Sequence, residues 1–358
     1  MTESTNNAND NPLQPMTPRL MGRLFIVPAL IVVLLLAVSV VVVLFGTTTT
    51  DKQESLSDLI ARLEADPGEK TLGTMLLPAA KESWQAAQEL ARRLERKDEF
   101  LRPDEVEPTA DRLIAILEKF PVGRDTDEPA SAQQYFVMMA LARLQTQKAV
   151  EPLSKLLRDP NWATRRTAVQ SLAMMQDVDG VGRAVPEIAA LLNDPIPAVR
   201  IVACGALSVL ARPGDGVTIR LLADRLSDDR EVQWNAAMAL AHLESSSGKL
   251  VLLNMLDRAY WEGIELEYME NGVQVTRKYA PAEVERNLQS AIAASVKLSD
   301  PELDRAVAAL EADRSTFVRD AARSASRSGG PKAAPAGSSM HAVEQQVGPA
   351  PSGVGEDC

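Results

Sequence analysis

The feature that most constrains this chain is an internal repeat. Segments Ala149–Asp159 (AVEPLSKLLRD) and Ala184–Asp194 (AVPEIAALLND) share length and pattern, and proline follows each of them. A second apolar pattern follows, in which the aligned leucines Leu172, Leu207 and Leu240 are spaced 35 and 33 residues apart. One such unit cannot bury its apolar face alone, so neighbouring copies must stack into an extended array.

The second segment of each unit has the pattern of an amphipathic helix. In one copy the apolar residues are Val199, Ala203, Ala206, Leu207 and Leu210. They lie on one helical stripe, where alanine permits close approach of the next helix and leucine fills the space between. Aromatic residues are only 4% of the chain, which also favours closely packed helices over sheets. The predicted fold is therefore all-α, an α-α superhelical solenoid.

The stretch Ala184–Leu210 (AVPEIAALLNDPIPAVRIVACGALSVL) resembles the HEAT repeat family, especially the short HEAT-like repeats first associated with phycobilisome lyases. Gln233 in place of arginine and Ser326 in place of leucine depart from the pattern. The resemblance implies a superhelix that binds other molecules. It does not imply bilin lyase activity, because a fold hosts many functions.

Composition and patterning predict the following organisation. The predicted segments are a disordered tail (1–23), a transmembrane helix (24–45), a linker (46–54), N-terminal helical hairpins (55–130), HEAT-like repeats (131–257), a β-hairpin insertion (258–281), degenerate C-terminal helical repeats (282–326) and a second disordered tail (327–358). Both tails have too few large apolar residues to offset the entropy of ordering.

The run 24–45 has no charged residue, and Ser39 is its one polar side chain. At 1.5 Å per residue a helix of this length spans about 33 Å, the thickness of a bilayer core. The run is also longer than the apolar part of a typical signal peptide. Arg23 lies directly before it, which favours a single-pass protein with a cytoplasmic N-terminus and the repeats on the outer side.

Residues 264–279 (IELEYMENGVQVTRKY) interrupt the helical pattern. Apolar and polar residues alternate around Asn271-Gly272, a strong signal for a β-hairpin with a two-residue turn. In that register Tyr268 faces Val275, Leu266 faces Arg277, and Ile264 faces Tyr279.

Aromatic residues gather around this insertion. The candidate partner-binding residues are Tyr260, Trp261, Tyr268, Arg277 and Tyr279. Clustered Tyr and Trp on an insert make good anchors for a partner. The same cluster also fits a small core that packs the hairpin on the adjacent repeat, and the sequence leaves both interpretations open.

Three arginines at one repeat position, Arg165, Arg200 and Arg319, also have two interpretations. They fit a ladder that binds a ligand, or structural groups that pair with acids or carbonyls of adjacent repeats. Cys204 lies within an apolar helix pattern, where burial as a small hydrophobic residue is the expected role.

Composition argues against catalysis and nucleic-acid binding. The net charge of −11 does not attract phosphate backbones, and two histidines, His242 and His341, are too few for a multi-histidine metal site. No phosphate-binding loop or nucleophile motif occurs, so no metal, no cofactor and no catalytic residue are predicted. The sequence therefore predicts a membrane-anchored scaffold or adaptor for a protein partner. A lyase-like enzyme or accessory factor that acts on a bound prosthetic group is the alternative.

Overall fold

The computed structural model describes residues 55–65, 78–120, 132–270 and 273–328. Within them the elements are α1 (Leu56–Ala65), α2 (Pro78–Leu94), α3 (Lys97–Phe100), α4 (Pro103–Leu117), α5 (Ala132–Leu144), α6 (Val150–Lys155), α7 (Trp162–Met174), α8 (Val185–Ala190), α9 (Pro197–Leu210), α10 (Gly216–Asp224), α11 (Arg230–His242), α12 (Lys249–Met255), α13 (Arg258–Glu262), β1 (Glu265–Glu270), β2 (Val273–Lys278), α14 (Pro281–Ser295), α15 (Pro301–Ala309) and α16 (Thr316–Ser328).

Most helices form consecutive pairs, and the pairs stack into a solenoid. The second helices pack on one another in chain order, α2, α5, α7, α9, α11, α14 and α16. Each also packs against the first helix of its own pair, α1, α4, α6, α8, α10, α12 and α15 respectively. This arrangement confirms the predicted helical solenoid.

The predicted alanine and leucine stripe forms the contact between stacked helices. Its members in α7, α9 and α11 are fully buried, namely Ala168, Leu172, Ala203, Leu207, Ala236 and Leu240. Each buried leucine contributes roughly 1.5–3 kcal/mol relative to an exposed one. The stack is therefore held mainly by neighbour contacts, as expected for a repeat array.

Aspartates fix the turn between the two helices of a pair. Asp159, Asp194 and Asp313 each accept a hydrogen bond from the amide two residues further on. Such local bonds satisfy backbone groups where the first helix ends in a short 3₁₀ turn. The aspartates hold the turn amides and do not cap the second helices themselves.

The repeated arginines connect neighbouring pairs. Arg165 donates two hydrogen bonds to the carboxylate of Asp194 in the next pair, at 2.7 and 3.0 Å, and a third to the carbonyl oxygen of Asp159. Arg200 repeats this with Asp228, at 2.7 Å, and with the carbonyl oxygen of Asp194. The structural interpretation of these two arginines is thereby confirmed.

The series of arginines that connect neighbouring pairs is interrupted at α11. Gln233 occupies the arginine position there and donates to the carbonyl oxygen of Leu226 in its own pair. In α14 the position is Glu285, and Arg258 of the insertion supplies the guanidinium instead, with two hydrogen bonds to Asp313 at 2.6 and 2.7 Å. The insertion therefore replaces a connection that the degenerate repeat has lost.

The predicted hairpin is present between α12 and α14. Its strands β1 and β2 are antiparallel, and Leu266 pairs with Arg277 and Tyr268 with Val275, as the alternation predicts. The insertion also contains the short helix α13, which the sequence did not indicate. Its start is fixed by Asp257, whose carboxylate accepts the amide of Ala259.

The ends of two helices add detail to the predicted organisation. Helix α4 begins at Pro103, because proline and two acidic residues suit a first helical turn. Helix α16 continues to Ser328, past the predicted end of the repeats. Among the described residues, no helix has the length and apolar character needed to cross a bilayer. The predicted membrane helix 24–45, the linker 46–54 and the tail 1–23 lie outside those residues, as does nearly all of the tail 327–358.

Candidate functional site

A cavity of 590 Å³ opens between α2 and α5. Its lining residues are Gln85, Gln88, Glu89, Ala91, Arg92, Glu95, Tyr135, Phe136, Met139 and Arg143. All of them except Glu95, which directly follows α2, come from two neighbouring second helices, so the cavity belongs to the face that the stacked second helices form.

Aromatic side chains lie in and beside this cavity. The ring of Phe136 makes edge contacts with Tyr135 and Trp84, with centroids 5.1 and 6.2 Å apart. Trp84 is 36% exposed, and Tyr135 and Phe136 are half-buried. Rigid aromatic groups that remain partly exposed supply contact area at low entropic cost, which is typical of anchors at protein interfaces.

The charged groups around the cavity are already paired. Glu89 accepts hydrogen bonds from Arg92 and Arg93, and those bonds lower the pKa of its carboxyl to about 2. Arg143 bonds to Glu95 at 2.7 Å and to the carbonyl oxygen of Ala91 at 2.8 Å. Glu89 is therefore ionised at neutral pH and cannot serve as a general acid there.

The chemical character of the cavity follows from these contacts. Its lining combines aromatic and aliphatic side chains with paired charges and two exposed glutamines, Gln85 and Gln88. Apolar groups bordered by polar ones are common at recognition surfaces. The ionised, arginine-bound carboxylate of Glu89 differs from the raised-pKa carboxylate pair that acid–base catalysis would need.

Two of the four aromatic residues predicted as a site, Trp261 and Tyr279, are buried away from this cavity. Trp261 is 1% exposed and donates to the carbonyl oxygen of Met255 at 2.7 Å, and Tyr279 is 7% exposed. Both contact Trp234 of α11, and the hydroxyl of half-buried Tyr260 accepts from the indole of Trp234 at 3.0 Å. Through these contacts Trp261 and Tyr279 pack the insertion against the solenoid, as the packing interpretation expects.

Two other predicted residues have different surroundings. Arg277 is exposed and pairs with Glu283 at 2.6 Å, so it links the hairpin to the start of α14. Tyr268 pairs with Val275 through the backbone, and its side chain lies outside the described residues. A role in partner binding for these residues stays a prediction.

Sequence reasoning missed both Trp234 and the cavity. Trp234 occupies the repeat position that holds Ile201 in α9 and Arg166 in α7. A tryptophan at this variable position was the one sign in the sequence that α11 packs against something different. Beside the cavity, the ring of Trp84 contacts the ring of Phe136, and the sequence between these two residues has no clear repeat. Such a contact between distant segments is not visible in local periodicity.

Among the described residues, cysteine, histidine and clustered acidic side chains give no further site. Cys204 is fully buried, and desolvation raises the pKa of its thiol to about 12, which fits the predicted packing role. Burial also lowers the pKa of His242, and nearby Lys297 lowers it further. Within the described part of the chain, no three His, Cys, Asp or Glu side chains are grouped to hold a metal ion.

Comparison with known families identifies the repeat. Residues 124–182 match a family model for HEAT repeats, and residues 184–212 match the model for a single HEAT repeat. This part of the chain is therefore similar in sequence to HEAT repeats. The matches confirm the resemblance drawn from Ala184–Leu210. A comparison with curated proteins finds no match.

Several solved structures are similar in fold. The complex of CpcE and CpcF of phycocyanin lyase from Nostoc sp. PCC7120 has a TM-score of 0.41 at 18% identity, over 78% of this chain and 96% of that one. A designed armadillo repeat protein in complex with the peptide (KR)4 has a TM-score of 0.35 at 17% identity, over 77% and 100%. Human deoxyhypusine hydroxylase has a TM-score of 0.30 at 14% identity, over 79% and 98%.

Proposed function

We propose that this protein is a non-enzymatic scaffold that binds a protein partner through the cavity between α2 and α5. The observation that carries the proposal is the partly exposed aromatic group of Trp84, Tyr135 and Phe136 beside charges that are already paired. HEAT-repeat solenoids use the extended surfaces of stacked helices for binding. A partner that inserts an apolar side chain here gains contact area without disrupting ion pairs.

Membrane anchoring belongs to the same proposal. The apolar run 24–45 would hold the protein as a single-pass membrane protein, with the helical domain on the outer side of the membrane. Native Cys358 offers a test of this topology, because Cys204 is buried and unreactive. A membrane-impermeant maleimide should label Cys358 in intact cells. Labelling only after permeabilisation would reverse the proposed orientation.

Site-specific photocrosslinking tests the binding surface. A benzophenone amino acid at Gln88, in the cavity, should give a discrete protein adduct in the native membrane. The matched control is the same group at Leu250, which is 76% exposed but lies on the first helix α12. Equal adducts from both positions would contradict a site at the cavity. Loss of the Gln88 adduct on Tyr135→Ala would support it.

The alternative, a lyase-like enzyme or accessory factor acting on a bound prosthetic group, predicts a different result. The protein purified from its native membrane would then carry a chromophore with a visible absorption band. A colourless protein that still gives the Gln88 adduct supports the scaffold.

A further inference from the structure

The hairpin leaves strand edges without a partner. Strands β1 and β2 form a two-stranded sheet, and no third strand pairs with either of them among the described residues. An unpaired edge presents a row of backbone N–H and C=O groups that can template another strand. The exposed edge is therefore a candidate surface, separate from the cavity between α2 and α5.

The register identifies which backbone groups point outward. Residues along an antiparallel pair alternate between exchanging hydrogen bonds and directing those groups away from the partner strand. Glu270 and Val273 pair across a two-residue connection, and a hairpin of this kind closes on a hydrogen-bonded pair. Counting back along β1, the backbone groups of Met269, Glu267 and Glu265 point outward.

The outer edges of β1 and β2 differ in how well they could pair with another strand. On β2 the outward carbonyl oxygen of Lys278 already accepts a hydrogen bond from Arg277, and a lysine on an edge discourages strand addition. On β1 the outward residues Glu265 and Glu267 have exposed side chains. A strand that pairs with β1 therefore meets two carboxylates on one face.

The other face of β1 has a different character. Leu266 is half-buried and packs against the second core cluster of the molecule, and Val275 on β2 lies on the same face. A third strand would extend this face with its alternate side chains. Its residues opposite Glu265 and Glu267 would be basic, and the intervening ones apolar.

From these observations we infer that the β1 edge binds an extended segment of a partner protein in which basic and apolar residues alternate. Backbone hydrogen bonds to β1 would hold the segment, and lysine or arginine side chains opposite Glu265 and Glu267 would set its register. A second copy of this chain fits less well, because β1 against β1 would bring glutamates together.

A pair of isomeric peptides tests the backbone part of the inference. The probe is fluorescein-labelled Lys-Val-Lys-Val-Lys-Val, bound to the full-length protein in detergent and followed by fluorescence anisotropy. N-methylation of the lysine amides should abolish binding, because in an antiparallel pairing the residues opposite Glu265 and Glu267 direct their amides toward β1. N-methylation of the valine amides, which point away from β1, should leave binding unchanged. Equal binding of both methylated peptides would overturn the inference in favour of charge attraction alone.

Protein variants test the charge part. The double variant Glu265→Gln, Glu267→Gln should weaken binding of the lysine peptide about tenfold, since it removes both cross-strand charge pairs. The matched control Lys278→Gln lies on the other strand and should not weaken it. Tighter or unchanged binding by the double variant would contradict the assignment of the partner.

Hydrogen exchange distinguishes a bound partner segment from a second copy of this chain at the β1 edge. The peptide should protect amides in the segment 264–270 and leave those of α2 and α5 unchanged. Protection of 264–270 that rises with protein concentration in the absence of peptide would assign the edge to a second copy and overturn the inference. Photocrosslinking at Gln88 reports on the cavity alone, so the two sites can fail independently.

Discussion

Asp159 and Asp194 occupy the same position in successive repeats and are equally buried, each 6% exposed. Their surroundings differ. Asp194 accepts two hydrogen bonds from Arg165, whereas the preceding helix offers Gln134 at the arginine position for Asp159. Desolvation raises the pKa of Asp159, despite the amide of Asn161 and the charge of Arg165. Two chemically identical side chains therefore contribute unequally to stability.

We expect Asp194→Asn to lower the free energy of unfolding by roughly 3 kcal/mol, because it leaves the guanidinium of Arg165 without its buried counter-charge. Asp159→Asn should be close to neutral, since asparagine keeps the acceptor for the Asn161 amide and removes a charge that burial disfavours. Thermal unfolding followed by circular dichroism compares the two. Equal losses in both variants would contradict this account of the connections between repeats.

The pairing of Arg258 with Asp313 predicts a dependence on pH. Burial alone would raise the pKa of Asp313, but hydrogen bonds from Arg258 and Ser315 outweigh it and lower the pKa. A lowered folded-state pKa stabilises the fold above the unfolded value of about 3.9, and this contribution is lost as the pH falls through the folded-state pKa.

Arg258→Gln should therefore lower the Tm most at pH 7, and the difference from wild type should shrink below about pH 4. Melting curves at a series of pH values measure this. A Tm difference that stays constant down to pH 3 would show that Arg258 acts by packing and not by charge.

At the scale of single elements, two glycines differ in the space around them. A Cβ atom on Gly248, in the turn before α12, would lie 2.8 Å from the Cα of Ala237 in α11. For Gly205, within α9, such a Cβ would have no heavy atom within 4 Å beyond its chain neighbours and the backbone of its own helix. The first glycine permits close approach of two elements, and the second only lowers helix propensity.

Gly248→Ala should cost about 1–3 kcal/mol through overpacking, while Gly205→Ala should add about 0.5–1 kcal/mol through better helix propensity. Chemical denaturation of both variants gives the two values. Similar behaviour of the two variants would mean that α11 and the turn before α12 can move apart without loss.

The elements also show what sequence could predict. The helix pairs around Leu172, Leu207 and Leu240 repeat a pattern that local periodicity reveals, and the alternation around the Asn-Gly pair fixed the hairpin register. The pairing of Trp84 with Phe136 joins helices whose sequences share no repeat. The sequence showed that Gln233 stands where other repeats have arginine. It could not show that Arg258 makes the equivalent bond to Asp313, because that contact depends on where the insertion packs.

At the scale of the whole molecule, the core divides into two clusters. The first extends from Leu56 to Leu243, and the second from Trp234 to Ala322. They meet at α11, which contributes side chains to both. Because each helix pair contacts mainly its neighbours, damage in one cluster need not reach the far end of the other.

Trp261→Ala removes the largest fully buried side chain of the second cluster and should cost about 3–5 kcal/mol. Hydrogen exchange should then accelerate in α12, α14 and α16, and remain near the wild-type rate in α2, α5 and α7. Uniform acceleration along the chain would indicate a single cooperative unit.

The absent arginine at Gln233 has a mechanical consequence. The steps from α7 to α9 and from α9 to α11 each carry a guanidinium that ties one pair to the next. Between α11 and α14, the second helix α11 provides no arginine for such a connection, and the two core clusters also meet at α11. When force is applied to the two ends of the helical array, this step should therefore open first, while the repeats on either side stay folded.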